Sequence, residues 1–304
     1  VSVPFFHVSG THGGVLLALW SGTKLVIMKK WDPPEAVRLM ESEKVSRFGG
    51  VPTMAAEIIE EAKKVGAKLD SIRLIDTGGA NRPADQAKEM ADFIPHVLTG
   101  TSYGMTETNA LGIAIRGKEY LENPKVTGRL IAPLAEMRIV DEFDVDVAVG
   151  EVGELVLKSA ANMRCYLNKD IETSEVLKNG WLYTGDLAKI DENQLITLVD
   201  RKKNIIIRGG ENISAQEVQT AILEHPDVVE AAVFSLPNER LGEIVGACVY
   251  CRKTSHENES SLQDFLKNSL ATYKIPEYIW IKNKPLPRVA SEKIDVEALK
   301  KEYS

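Results

Sequence analysis

The sequence predicts an α/β fold: a doubly wound sheet with a small β-subdomain, followed by a smaller α+β domain. Three observations carry this. Between Lys24 and Gly100, short β-branched runs alternate with helical stretches at a spacing that implies βαβ units. From Gly112 to Asp200 the pattern changes to short strands separated by acidic turns, and beyond Arg201 one capped helix leads into further strands. The expected boundaries are residues 1–200 for the large domain, with sheet 1–110 and β-rich part 111–200, and 201–304 for the small one.

In the first region, strand-like runs fall at Leu25–Met28, Val45–Phe48, Ile72–Asp76 and Val97–Gly100, with helices at Pro33–Glu43, Thr53–Val65 and Pro83–Phe93. Asp32 before Pro33, and Asn81 ahead of Pro83, suit helix starts: the short polar side chain caps, and proline fits the first turn. A parallel sheet of this kind binds ligands beyond the carboxyl ends of its strands. Two such ends are Asp76-Thr-Gly-Gly-Ala-Asn81 and Gly100-Thr-Ser-Tyr-Gly-Met-Thr-Glu107. In the β-rich region the strands are expected at Glu136–Val140, Glu154–Lys158 and Leu195–Val199. Asp141–Asp146, with four acids in six residues, reads as a solvated hairpin tip. Further on, Ser214-Ala-Gln-Glu217 has the form of a capping box for a helix reaching Glu224, closed by Pro226. Strands at Val228–Phe234 and Ile244–Tyr250 follow, then a polar loop at Thr254–Ser260, a helix near Leu262–Leu270 and a strand at Tyr278–Ile281.

Composition bounds the function. The 304 residues are 44% hydrophobic and 27% charged, enough to bury a sizeable core. A net charge of −7 argues against binding nucleic acid through bulk electrostatics. No apolar run approaches the length of a membrane-spanning helix, and Val1–Phe6 lacks the form of a signal peptide, so cytoplasm is the default expectation. Cys248 and Cys251 form one isolated C-x-x-C in a strand-like run, which reads as buried thiols. His7 and His12 are poorly spaced for a shared metal and have no acidic companion.

The richest stretch is Trp181–Ser214. Thr184-Gly185-Asp186 reads as an acid held in a tight turn, and Asp200-Arg-Lys-Lys203 as a charge cluster ahead of the Gly209-Gly210 pair. A carboxylate can accept from a sugar's vicinal hydroxyls, an arginine can add donors to the same sugar or its phosphate, and glycines allow close backbone approach. Taken with Thr101-Ser-Tyr-Gly-Met-Thr-Glu107, Gly150-Glu-Val-Gly-Glu-Leu155, Trp181-Leu-Tyr-Thr-Gly-Asp186, Gly209-Gly-Glu-Asn-Ile213 and Pro287-Arg-Val-Ala-Ser-Glu-Lys293, in that order, the chain resembles the adenylate-forming acyl-CoA synthetases. That family includes 4-coumarate-CoA ligases, fatty-acid-CoA ligases and beetle luciferases.

The resemblance implies a role for each matching residue. Gly78, Gly79, Ala80 and Asn81 would form one wall of an adenine slot and Tyr103 the other, within a nucleotide-binding turn that also holds Thr101, Ser102, Gly104 and Met105. Thr106 would meet a phosphate oxygen and Glu107 would bind Mg²⁺, a cation that takes oxygen ligands. Asp186 and Arg201 would hold the ribose. Lys293, on a closing lid, would neutralise charge as a carboxylate attacks the α-phosphorus of ATP. Lys203 stands at the family's hinge, Gly209 and Gly210 at its CoA tunnel, and His7, Val8 and Thr11 at its acyl pocket, with Asn109, Leu111 and Gly112 as further wall. Two positions depart from the family: Cys165 replaces the glycine before Tyr166, and Glu292 replaces the glycine before Lys293, where a carboxylate could pair with the cation and weaken adenylation.

The function this implies is an AMP-forming ligase that joins a carboxylic acid, of medium or long chain or aryl, to CoA through an acyl-adenylate. Its ligands would be that acid, ATP, Mg²⁺ and CoA, without nucleic acid or an integral membrane segment, and a homodimer is one assembly to expect. An enzyme that loads a carrier protein and a catalytically weak nucleotide-binding remnant are the alternatives. The family's phosphate-binding loop normally precedes a motif like Pro4–Gly10, and none is found here. The chain is therefore expected to be the C-terminal part of a longer enzyme, inactive by itself.

Overall fold

The computed structural model describes residues 3–79, 84–110, 112–252, 258–289 and 293–303, with the side chains of 84 and 85 excepted. The chain divides into two compact units, one of Val1–Thr184 with Ala188–Leu198, the other of Gly185–Leu187 with Val199–Ser304.

The first unit opens on a continuous helical stretch: α1 (Val8–Gly10), a π-helical segment over Thr11–Leu16, and α2 (Leu17–Ser21). Leu25–Met28, expected as a strand, is not one. The backbone there is irregular, and Met28 packs on the core. α3 (Pro33–Ser42) starts as expected, with the Asp32 side chain accepting from Glu35 N at 3.0 Å and proline in the first turn. α4 (Pro52–Val65) buries Met54, Ala55, Ile58, Ile59 and Ala62, a stripe at helical spacing, and ends at Gly66 with φ +72°. These helices and α5 (Ala84–Phe93) share a core with β1 (Arg47–Gly50) and β2 (Leu74–Gly78).

The main sheet runs in the order β1, β2, β3 (Leu98–Tyr103), β4 (Ile113–Arg116) and β5 (Arg129–Leu130). β1 to β3 are parallel, as the alternating pattern predicts. β4 and β5 are antiparallel additions at one side, so the sheet is mixed. β1 and β2 begin two residues later than the sequence pattern suggests, and β3 one residue later. α6 (Gly117–Glu122) follows β4 and buries Tyr120. The second sheet has the order β10 (Ile196–Arg201), β9 (Trp181–Ile190), β7 (Gly153–Ser159) and β6 (Ala135–Val140), with the short β8 (Leu177–Lys178) on β9 and α7 (Asp170–Val176) before it. The acidic tip is less free than expected: Arg138 bonds Asp146 at 2.6 Å and Asp144 at 3.1 Å, and the Asp141 carboxylate accepts from Phe143 N and Val145 N.

The second unit is built on a five-stranded sheet of β12 (Glu211–Ser214), β11 (Ile205–Arg208), β14 (Gly242–Cys251) and β13 (Val228–Asn238), with β15 (Tyr278–Lys282) parallel to β14. α8 (Ala215–Leu223) and α9 (Glu259–Leu266) pack on one apolar cluster of this sheet, and α10 (Val296–Tyr303) belongs to a second with Phe234 and Trp280. Cys248 and Cys251 are buried free thiols on β14, and burial pushes the Cys248 thiol up to about 11. The Ser214 half of the expected capping box is present, its hydroxyl accepting from Glu217 N at 3.0 Å, while the Glu217 carboxylate takes Lys274 Nζ at 2.7 Å.

Candidate active site

In the first unit, β2 and β3 end side by side. Thr77 pairs with Thr101 and Gly78 with Ser102. A Cβ on Gly78 would lie 2.8 Å from the Ser102 carbonyl oxygen, so this close approach admits only glycine. The structure thus brings Gly78, Thr101, Ser102 and Tyr103 together; Gly79 follows directly, and Ala80 and Asn81 lie outside the described residues. Tyr103 is half-buried and packs on the cluster of Ile113, Ile139 and Leu155. Beyond it the chain folds back tightly: a Cβ on Gly104 would sit 2.5 Å from the Ala110 carbonyl, and Ala110 N donates to Met105 O at 3.0 Å. Thr106, Glu107 and Thr108 form a 3₁₀ turn, held by Thr108 Oγ1 against Met105, and Asn109 leaves it at φ +53°. Leu111 lies outside the described residues.

Thr106 is exposed, and Glu107 is half-buried with partners on both its main chain and its side chain. Met163 N donates to Glu107 O at 2.6 Å, and the Tyr166 hydroxyl donates to Glu107 Oε1 at 2.7 Å. Desolvation, together with that carboxylate, pushes the Tyr166 phenol up to about 12. Adjacent threonine and glutamate oxygens are the hard donor type that fits Mg²⁺.

Behind these strand ends lies a clamp that was not legible in the sequence. Asp76, Gly100 and Arg116 are register partners on β2, β3 and β4. The Asp76 carboxylate and the Arg116 guanidinium meet across the middle strand, at 3.0 Å and 3.1 Å from Nε and 2.6 Å from Nη2. Hydrogen bonding to Asp76 raises the Arg116 pKa further above its usual value, against desolvation. His7, Val8 and Thr11 form a separate N-terminal cluster. His7 Nδ1 caps α1 at Ser9 N, and Thr11 Oγ1 donates to Phe5 O. The π-helical segment begins at Thr11, an irregularity that frequently marks functional sites.

The second unit gathers Asp186, Arg201 and Lys293. Asp186 was expected in a tight turn; it lies within β9, and Gly185 before it, at φ +71°, interrupts the regular strand conformation. The Asp186 side chain is 8% exposed and pairs with Arg201 Nε at 3.1 Å, while the Arg201 side chain is 53% exposed. Lys293 sits on the returning arm of a loop closed by the bridge between Arg288 and Ile294 and by Val289 N donating to Lys293 O at 2.9 Å. Ser291 and Glu292 lie outside the described residues. Although Lys293 is exposed as a residue, desolvation of its ammonium lowers its pKa, the Arg201 charge lowers it further, and Asp186 opposes both.

Asp200 was legible only as part of a motif, and the structure gives it a task. It is buried and accepts from Ser214 Oγ at 2.7 Å, Gln216 N at 2.8 Å and its neighbour Arg201 N at 2.6 Å. With Ser214 taking Glu217 N, two of the orphan amides of α8 are satisfied, and the Arg201 main chain is tied to that helix end. Lys203 lies exposed in the 3₁₀ turn Lys202–Asn204. Gly209 and Gly210 are the two-residue turn of the β11–β12 hairpin, closed by the pair Arg208 and Glu211; at φ +60° and +91° they fit a primed turn.

Comparison with known proteins identifies the fold. The AMP-binding enzyme model matches residues 1–167, more than half of the chain, and the AMP-binding enzyme C-terminal domain model matches 217–293. The chain belongs to the AMP-binding enzyme family. Within this family it is 32% identical over 295 residues to a long-chain-fatty-acid–CoA ligase of Bacillus subtilis (strain 168), covering 96% of the chain and 52% of the relative. It is 32% identical over 294 residues to a feruloyl-CoA synthase of Amycolatopsis sp., covering 97% and 59%. The solved o-succinylbenzoate CoA synthetase of Bacillus subtilis, in complex with its acyl-adenylate intermediate, matches with a TM-score of 0.87 at 28% identity, over 99% of this chain and 60% of that one. The same enzyme has been solved with ATP and magnesium ion, with a TM-score of 0.86. The chain spans about half the length of the curated relatives it matches. Among the described residues, no helix is long and apolar enough to cross a membrane.

Proposed function

We propose that the intact protein is an AMP-forming acid–thiol ligase. A carboxylate oxygen attacks the α-phosphorus of ATP, the bond to pyrophosphate breaks, and an acyl-adenylate forms. The CoA thiolate then attacks the acyl carbon and AMP leaves with its phosphate oxygen. The observation that carries this reading is the pairing of buried Asp186 with half-exposed Arg201, within the electrostatic reach of Lys293, in a chain whose relatives are named as CoA ligases.

The residues divide the work by their chemistry. Asp186 accepts from ribose hydroxyls, and Arg201, freed from that carboxylate, donates to the sugar or its phosphate. Lys293 carries a charge that is costly to keep among its neighbours, and an arriving polyphosphate supplies the anion that stabilises it. Gly78 to Asn81 and Tyr103 give the adenine its walls, and Thr106 donates to a phosphate oxygen. Glu107 and Thr106 would hold Mg²⁺, which supplies charge neutralisation on the phosphates when bound. Lys203 is the hinge, Gly209 and Gly210 meet the CoA arm, and His7, Val8 and Thr11 face the acyl group, which is a fatty or aryl acid.

Pyrophosphate release by the full-length protein, measured with ATP, Mg²⁺ and CoA against short, medium, long and aromatic acids, tests this. Acid-dependent release that collapses in Lys293→Ala, with an acyl-CoA product, is the expected result. Release without a CoA thioester would point instead to loading of a carrier protein, and no acid-dependent release from any acid would overturn the ligase.

A further inference from the structure

We propose that Tyr166 is a positioning residue for the Glu107 carboxylate, and that it sets how that carboxylate is presented to a divalent cation. The inference rests on the reading of Glu107 as a metal-binding residue.

The turn carrying Glu107 is braced by one distant segment at three points. Tyr166 Oη donates to Glu107 Oε1 at 2.7 Å, Met163 N donates to Glu107 O at 2.6 Å, and Asn109 Nδ2 donates to Ala161 O at 2.6 Å. The brace is itself anchored. Tyr166 N donates to Thr173 Oγ1 at 3.0 Å, and Thr173 Oγ1 donates to Lys169 O at 2.6 Å, which ties the tyrosine to the first turns of α7. The phenol is therefore held at its backbone by a helix and at its tip by the carboxylate.

A neutral phenol suits this task better than a cation. It donates one hydrogen bond to Oε1 without competing for the charge of the carboxylate, and the carboxylate keeps its remaining lone pairs for a hard cation. An arginine or lysine here would neutralise the group that the metal needs. Removing the hydroxyl frees the carboxylate to rotate, so ordering it becomes part of the cost of binding a metal.

The test is Mn²⁺ binding by the full-length protein saturated with a non-hydrolysable ATP analogue, followed by electron paramagnetic resonance in the wild type, Tyr166→Phe, Glu107→Gln and the double variant. Orienting partners of metal ligands typically change metal affinity by 10- to 100-fold. Tyr166→Phe is expected near the low end, about a tenfold loss, with metal-free analogue affinity unchanged and no further loss when added to Glu107→Gln. Thr173→Val, which leaves both the phenol and the carboxylate in place, is expected to give a smaller loss of the same kind. Wild-type Mn²⁺ affinity in Tyr166→Phe, alongside a clear loss in Glu107→Gln, would overturn the positioning role and leave the metal role of Glu107 standing. Unchanged affinity in Glu107→Gln would overturn both.

Discussion

Replacing Gly100 with alanine probes the clamp behind the strand ends. The new Cβ would stand 2.4 Å from Asp76 Oδ1 and 2.6 Å from Arg116 Cγ, both closer than real contacts come, and 3.1 Å from the Ile115 carbonyl oxygen, a tight contact. The backbone on β3 is fixed on both sides by ladder pairs, so the two side chains must give way. Overpacking of this kind costs about 1–3 kcal/mol. Displacing Asp76 from Arg116 loses hydrogen bonds to a charged group, about 1.5–3 kcal/mol each when fully buried; the Arg116 side chain is 45% exposed, so the low end applies. Against this, alanine recovers about 0.5 kcal/mol of strand propensity. The net expectation is a destabilisation of about 2–4 kcal/mol, read as a urea midpoint lowered by about 1–2 M at an m-value near 2 kcal/mol/M. In an Asp76→Ala background, where the nearest contact is gone, the same substitution should cost clearly less. A loss below about 0.5 kcal/mol, or an equal loss in both backgrounds, would refute the collision argument.

Three further outcomes follow from the second unit. Because the Lys293 pKa is lowered from the ordinary 10.5, the unfolded chain holds that proton in the window between the folded value and 10.5 after the folded chain has lost it; its contribution to stability therefore rises with pH across that window and is a fixed penalty below it. Arg201→Gln should raise the Lys293 pKa and Asp186→Asn should lower it, measured as slower and faster labelling of Lys293 by an amine reagent at pH 9. Ser214→Ala should cost about 1 kcal/mol and speed amide exchange in the first turn of α8, since it removes both the cap on Glu217 N and a donor to buried Asp200; exchange unchanged at that turn would contradict the capping role.

Much of this was legible in the sequence, and what was not has physical reasons. The parallel core β1 to β3 with its helices followed from hydrophobic period and from Asp32 with its prolines, because those signals are local. Leu25–Met28 looked like a strand because a short apolar run by itself does not separate a strand from irregular chain. Asp186 looked like a turn residue because glycine usually marks one, whereas here Gly185 takes its positive φ inside a long strand. The Gly209-Gly210 pair read as a place of close approach before its hairpin was visible, since Ile205–Arg208 and Glu211–Ser214 are each only four residues long. Tyr166, Asp76 with Arg116, and Asp200 were hidden for one reason: each acts through a partner 14 to 59 residues away, and only register and folding bring the pairs together.

The ligase reading is tested most directly by an oxygen-transfer measurement on the full-length protein. An acid labelled with ¹⁸O in its carboxylate is turned over with ATP, Mg²⁺ and CoA, and the AMP is weighed by mass spectrometry. An acyl-adenylate leaves one carboxylate oxygen on the phosphorus when the thiolate displaces it, so AMP should carry one ¹⁸O and pyrophosphate none. Unlabelled AMP, or label in inorganic phosphate with ADP as the nucleotide product, would contradict it.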